Sequence, residues 1–252
     1  MWSVDGFRRA PGRIMRLARI AQVLAKHGLG QWGRYLGLAR YLSRKKARAT
    51  VEGGGESAWA EQMTLARRLA FALEELGPTF VKLGQVLSTR PDLIPEAYVM
   101  ELRALQDRVA PFDGALARRI VEDEMRRPLP ERFAEFDDKP LASGSIAQVH
   151  KARLVTGEKV VVKVRRPDIR EVVEHDLDIL DWLAGNLMRF EAVSVFRPKM
   201  IVEEFRRTIR REMDFLSEAA YTERFRALYD GEPGIKTPKV FWEMTTSRVL
   251  TL

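Results

Sequence analysis

The stretch Leu141-Ala-Ser-Gly-Ser-Ile-Ala-Gln-Val-His150, continued through the turn Thr156-Gly157-Glu158 into Lys159-Val-Val-Val-Lys-Val164, reads as two strands joined in a hairpin. Ile146–Leu154 and Lys159–Val164 are strand-like, and the small residues Ala142, Ser143, Gly144 and Ser145 precede them. A turn between antiparallel strands brings backbone N–H groups over a polyphosphate only where side chains are small. An ordinary tight hairpin has the same composition, so the turn alone leaves both readings open. Lys163 shifts the balance. It sits among Val161, Val162 and Val164, and a lysine in a buried strand is costly without an anionic partner. Phosphate oxygens and a helix glutamate would supply one, whereas on an edge strand Lys163 would simply face solvent.

Upstream lies Thr79-Phe-Val-Lys-Leu-Gly-Gln85. Lys82 and Gln85 are three apart and share a helix face, which Val81, Leu83 and Val86 mark as pressed against protein. The rest of the chain alternates helix and breaker. Residues 13–26 place Ile14, Leu17, Ala21 and Leu24 on one stripe, with Arg13, Arg16 and Lys26 elsewhere. That is an amphipathic basic helix, suited to an anionic membrane surface or to packing on a domain. A basic stretch Arg40–Arg48 runs into Glu52-Gly-Gly-Gly-Glu56, which reads as a linker. Helices are expected at Ala58–Leu76, from a cap at Thr79, at Glu96–Asp107 and at Gly114–Met125. Beyond the sheet they are expected at Ile169–Phe190 and Pro198–Leu228, with a second hairpin pairing Lys239–Trp242 with Arg248–Leu252. The acids Glu212, Asp214 and Glu218 fall in the last long helical stretch.

Charge and composition narrow the function classes. Residues 1–50 hold twelve Lys/Arg against one acid, Asp5, so the total of +8 belongs to the N-terminal segment and the remainder sums to −3. Such a segment suits anionic lipid or nucleic acid. No aromatic-stacking pattern or helix-turn-helix accompanies it, so nucleic acid is not expected. With no cysteine, disulfides and thiolate metal sites are excluded, and His27, His150 and His175 lack metal-ligand spacing. No apolar run reaches the roughly 18–20 residues of a membrane span, and Arg13, Arg16 and Arg19 interrupt any signal-peptide core.

These blocks together resemble the UbiB family of atypical protein-kinase-like proteins, whose bacterial members support ubiquinone biosynthesis. The resemblance rests on Leu76–Leu93 with its Lys-x-Gly-Gln, Leu105–Phe112, Leu141–His150, Val160–Pro167 and Glu212–Ala219. It implies an α+β fold: a protein-kinase-like N-terminal lobe of small antiparallel sheet plus helices, preceded by a family-specific helical extension. The expected division is a basic segment and linker over 1–57, the extension over 58–135 and the small lobe over 136–252. By the same resemblance Leu141, Ala142, Ser143, Gly144, Ser145, Ile146, Ala147, Gln148 and Val149 form the loop over ATP. Lys163 becomes the ATP-binding lysine, Glu218 its helix partner, and Glu212 with Asp214 a Glu-x-Asp motif. Lys82, Gly84 and Gln85 belong to the motif that folds across the nucleotide site, with Lys82 directed toward Glu212 or Asp214. Gly144 departs from the family's alanine-rich pattern. The implied ligands are ATP and Mg²⁺; the implied partners are an anionic membrane surface, quinone precursors or quinone-biosynthesis proteins, at the cytoplasmic face of the inner membrane. A lipid-binding scaffold without catalysis is the alternative. Because the chain stops at Leu252, where the lobe should enter its hinge, a fragment is expected whose metal ligands and catalytic Asp lie elsewhere and which alone hydrolyses no ATP.

Overall fold

The computed structural model describes residues 11–31, 36–38, 63–105 and 110–252. The Glu52–Glu56 linker and the stretch Arg40–Arg48 lie outside them. The described residues fall into two compact units, one from 1–106 with 171–206 and the other from 107–170 with 207–252. The division is not linear along the chain: the segment 171–206 leaves the sheet and joins the N-terminal helices.

The helical unit contains α1 (Pro11–Lys26), α2 (Leu65–Leu76), α3 (Pro78–Ser88), α4 (Glu96–Arg103), most of α6 (Ile169–Leu187), the short α7 (Glu191–Ser194) and most of α8 (Pro198–Glu212). Of the two readings for α1, packing wins. Leu17, Ile20, Ala21, Val23 and Leu24 are buried, and Arg16, Arg19 and Lys26 are engaged. Arg16 donates to both Asp176 oxygens at 2.7 and 2.9 Å and to Leu76 O at 2.7 Å. Asp176 is 1% exposed, so breaking this pair would leave a buried charge uncompensated. Arg19 and Lys26 both reach Glu75, whose pKa is lowered chiefly by the Lys26 hydrogen bond.

Thr64 caps α2 by accepting from Arg67 N–H at 3.2 Å. Thr79, expected as a cap, is not one. Pro78 opens α3 directly after Gly77, whose φ of 97° lets the chain turn sharply between two helices. The Thr79 side chain is buried instead, its hydroxyl without a hydrogen-bond partner. α4 ends at Arg103, short of the expected Asp107. Gly84 has a packing reason: a Cβ there would overlap Leu105 Cδ1 and crowd Leu73 Cδ1 at 3.1 Å. Gly84→Val should therefore lower stability by about 1–3 kcal/mol through overpacking, read as a drop in thermal midpoint. Gly84→Ala should cost less, because the Leu105 tip can rotate and alanine favours the helix.

The sheet unit holds α5 (Gly114–Met125), β1 (Phe133–Phe136), β2 (Ala142–Ser143), β3 (Ala147–Leu154), β4 (Lys159–Arg165), α9 (Phe215–Leu228) and β5 (Val249–Thr251). All pairings are antiparallel, in the order β1-β3-β4-β5, with β2 also on β3. β3 and β4 form the expected hairpin, and Gly157 takes the turn's positive φ of 101°. The strand period of two sorts the side chains. Phe133, Phe136, Ala152, Leu154, Val160, Val162, Val164 and Val249 pack with Ala117, Ile120 and Val121 of α5. Ala147 and Leu250 pack with Phe215 and Ala219 of α9.

Three expectations need correction here. Pro198–Leu228 is two helices, interrupted after Glu212, because Asp214 leaves helical geometry to cap α9 and accept from Leu216 N–H. The second hairpin does not form: Lys239–Phe241 is irregular and Trp242–Met244 a 3₁₀ turn, with Phe241 N–H donating to Thr251 O at 3.0 Å. The sheet also starts earlier than expected, with β1 at Phe133 and the two-residue β2.

Candidate functional site

β4 and α9 bring the two principal candidates together. Lys163 Nζ donates to Glu218 Oε2 at 2.7 Å and lies 4.8 Å from the centroid of the Phe215 ring. The side chains are 30% and 40% exposed, so the pair contributes little to stability, about 0–1 kcal/mol. It remains open to a ligand. The geometry is built locally: Asp214 caps α9, Phe215 is fully buried, and Glu218 falls in the first turn, where the helix dipole favours a carboxylate. The strand register places Val149 directly opposite Lys163.

The turn before β3 is closed by its own backbone. Leu141 N–H donates to Val149 O at 2.7 Å and Gly144 N–H to Ala147 O at 2.8 Å. Ser145 is buried and Leu141 largely exposed. Arg165, which ends β4, and Arg166, which follows it, draw no site role from the sequence yet hold the surrounding backbone. Arg166 donates to Gly144 O, Ser143 Oγ and Ala110 O at 2.8, 2.7 and 2.9 Å, and covers the Phe112 ring at 5.6 Å. Its neighbour Arg165 donates to Met213 O at 2.7 Å and Ser247 O at 3.2 Å, satisfying backbone at the break between α8 and α9. Burial lowers the pKa of both guanidiniums; five acceptors offset that desolvation. Strand alternation is the one signal that could have separated them: consecutive arginines at a strand end must face opposite sides. Arg166→Ala should free the turn, seen as faster amide hydrogen exchange at Ser143–Ala147 with the Lys163–Glu218 pair intact.

Gln148 stands apart from the other loop residues. Its side chain is fully buried and bonded to protein on every side. Phe112 N–H donates to Oε1 at 3.1 Å, while Nε2 donates to Phe112 O at 3.3 Å and to His150 Nε2 at 2.8 Å. His150 Nδ1 in turn donates to Asp137 O at 2.7 Å, and its ring stacks on Phe136. The side-chain amide thus pairs with the Phe112 backbone as a strand would. This sets Gln148 to clamping the segment before α5.

In the helical unit, Lys82 is half-buried on α3, Gly84 makes the close helix approach, and Gln85 Nε2 donates to Leu105 O at 3.2 Å. Glu212 ends α8 in the sheet unit, two residues before the Asp214 cap. Asp176, beside His175, serves the Arg16 pair. An open depression of about 770 Å³ lies over the outer sheet, bordered by Lys151, Arg153, Lys159, Val161, Pro238 and Leu252; neither Lys163 nor Glu218 lines it. Among the described residues no cluster of His, Asp and Glu is placed to hold a metal, and no helix is long and apolar enough to cross a membrane.

Residues 104–252 match the ABC1 atypical kinase-like domain. The probable protein kinase UbiB of Pseudomonas fluorescens strain SBW25 is 43% identical over 195 residues, covering 76% of this chain and 36% of that protein. Its counterpart in Xanthomonas campestris pv. campestris strain B100 is 41% identical over 248 residues, 95% of this chain and 43% of that protein. The solved complex of Rv3197 with erythromycin from Mycobacterium tuberculosis is 28% identical, covers 83% of this chain and 50% of that one, and superposes with a TM-score of 0.49. This chain spans less than half the length of these UbiB relatives. With the small antiparallel sheet and the lysine–glutamate pair joining β4 to α9, the chain belongs to the ABC1 atypical kinase-like family and is of the UbiB type.

Proposed function

We propose that this chain supplies the nucleotide-gripping part of a UbiB-type atypical kinase or ATPase that supports ubiquinone biosynthesis at a membrane surface. The observation that carries the reading is the accessible Lys163–Glu218 pair, 2.7 Å apart, on the lobe whose small-residue turn precedes β3. ATP enters as its Mg²⁺ complex. Lys163 turns its ammonium to the phosphate oxygens while Glu218 fixes it, and Ala142–Ser145 lies over the phosphates with no side chain large enough to exclude them. Lys82 and Gln85 of the extension modulate ATP turnover and disfavour a large protein substrate. Quinone precursors or their enzymes, at the cytoplasmic face of the inner membrane, are the partners this role requires.

The discriminating experiment is phosphate release by the full-length protein with Mg²⁺–ATP, alone and with a soluble quinone-precursor analogue. The ATPase reading expects turnover that Lys82→Ala alters. A protein that binds the analogue yet neither binds nor turns over ATP would be the non-catalytic scaffold.

A further inference from the structure

α6 and α8 form an antiparallel hairpin within the helical unit, and its tip is unusual. Arg206 on α8, 16% exposed, donates to Leu177 O at 3.3 Å and lies within 3.9 Å of carboxylates of Glu174 and Asp178 on α6. The hairpin body is therefore fastened by half-buried charge. At the tip, residues 188–200, the pattern inverts. Met188, Val195, Phe196 and Met200 are 42%, 75%, 49% and 61% exposed, and Phe190 is 38% exposed. Between them stand the exposed cations Arg189, Arg197 and Lys199, with Glu191 the single acid in the tip and Asp181 of α6 4.0 Å from Lys199. Solvated turns rarely place this much apolar surface outward.

We propose that the α6–α8 tip is a membrane-docking surface whose apolar side chains enter the headgroup–acyl boundary of an anionic bilayer while Arg189, Arg197 and Lys199 meet lipid phosphates. The choice of lipid over a protein groove rests on chemistry at the tip. Long apolar side chains and cations are exposed together along this turn, the composition of an interfacial anchor. Charge along the chain agrees. Asn186, just before the tip, donates to Leu36 O at 3.2 Å, and the sequence that follows Leu38 carries Arg40, Arg44, Lys45, Lys46 and Arg48 with no acid. The amphipathic α1, the other candidate anchor, has its apolar face buried. The proposal rests on the membrane partnership proposed above and names the surface that makes it.

These 252 residues hold no cysteine, so Val195→Cys, in a full-length protein with any cysteine elsewhere replaced by serine, gives a single labelling position for a solvatochromic dye at the tip. Full-length labelled protein is mixed with phosphatidylcholine vesicles with and without phosphatidylserine. The expected result is a blue shift with phosphatidylserine vesicles that salt reverses. The double variant Val195→Glu/Phe196→Glu, both positions exposed and its fold checked by circular dichroism, should partition at least about tenfold more weakly. Vesicle binding with no shift at the probe, and wild-type binding by the double variant, would overturn the tip as the surface while leaving the membrane reading standing. No binding to either vesicle would overturn both. A change of oligomeric state in the double variant, with vesicle binding unchanged, would make the tip an interface between copies and overturn the proposal.

Discussion

Lys163→Ala should reduce ATP turnover by the full-length protein by about 100-fold or more, the scale of removing one preorganised donor from a site of developing negative charge. Stability should barely move. The pair with Glu218 is 30% and 40% exposed, and an exposed ion pair is worth about 1 kcal/mol at most. Large loss of function with an unchanged melting midpoint is thus the signature expected of a ligand-facing lysine. Glu218→Gln should give a smaller loss in the same direction, because the amide still positions the ammonium without neutralising it. The double variant should lose less than the product of the singles, since both act through one geometry. Equal losses of activity and stability in Lys163→Ala would instead make the lysine a structural strut.

Gln148→Leu should have the opposite signature. It removes one side chain but strands three partners, namely Phe112 N–H, Phe112 O and His150 Nε2. Each buried polar group left unpaired costs about 1–3 kcal/mol, so a loss near 3 kcal/mol or more is expected in chemical denaturation. If Gln148 were a nucleotide contact, affinity would fall and the unfolding midpoint would hold. His150 adds a pH dependence. Burial lowers its pKa below the usual 6.5, and the lone pair of Nε2 is committed to the Gln148 amide. The folded state therefore binds fewer protons than the unfolded one near and below pH 6.5. The stabilisation is fully present above that value and is lost as pH falls through the depressed folded pKa. His150→Asn should be less stable at neutral pH yet lose less on acidification, a flatter slope measurable by urea titrations across the acid range.

The parts of this fold that local pattern dictates were legible in the sequence. The β3–β4 hairpin follows from alternation around Gly157, and α5 runs over the expected Gly114–Met125. Elements depending on partners far along the chain were not. β1 and β2 are four and two residues long, too short for any periodicity. The break at Met213 lies in residues that all tolerate helix; it is stabilised by Arg165 reaching Met213 O from 48 positions away. Lys239–Trp242 has strand composition, yet the 3₁₀ turn at Trp242–Met244 interrupts it. In the site, burial of the strand around Lys163 implied an anionic partner, but choosing Glu218 over Glu212 or Asp214 rested on family resemblance. Period-two alternation did separate Gln148 and His150 from Val149, and so held the clue that Gln148 faces away from Lys163.

Whether Lys163 meets the phosphates of a bound nucleotide is read by covalent footprinting without requiring turnover. An acyl-phosphate derivative of ATP acylates a lysine held against its phosphates: the side chain loses its proton to solvent, the neutral amine forms an amide, and the acyl–phosphate bond breaks to release ATP. Incubated with the full-length protein and followed by peptide mass spectrometry, it should label Lys163 above every other lysine. Excess ATP should suppress that labelling, and Glu218→Ala should weaken it. Uniform labelling of surface lysines, with Lys163 neither enriched nor protected by ATP, would contradict the account.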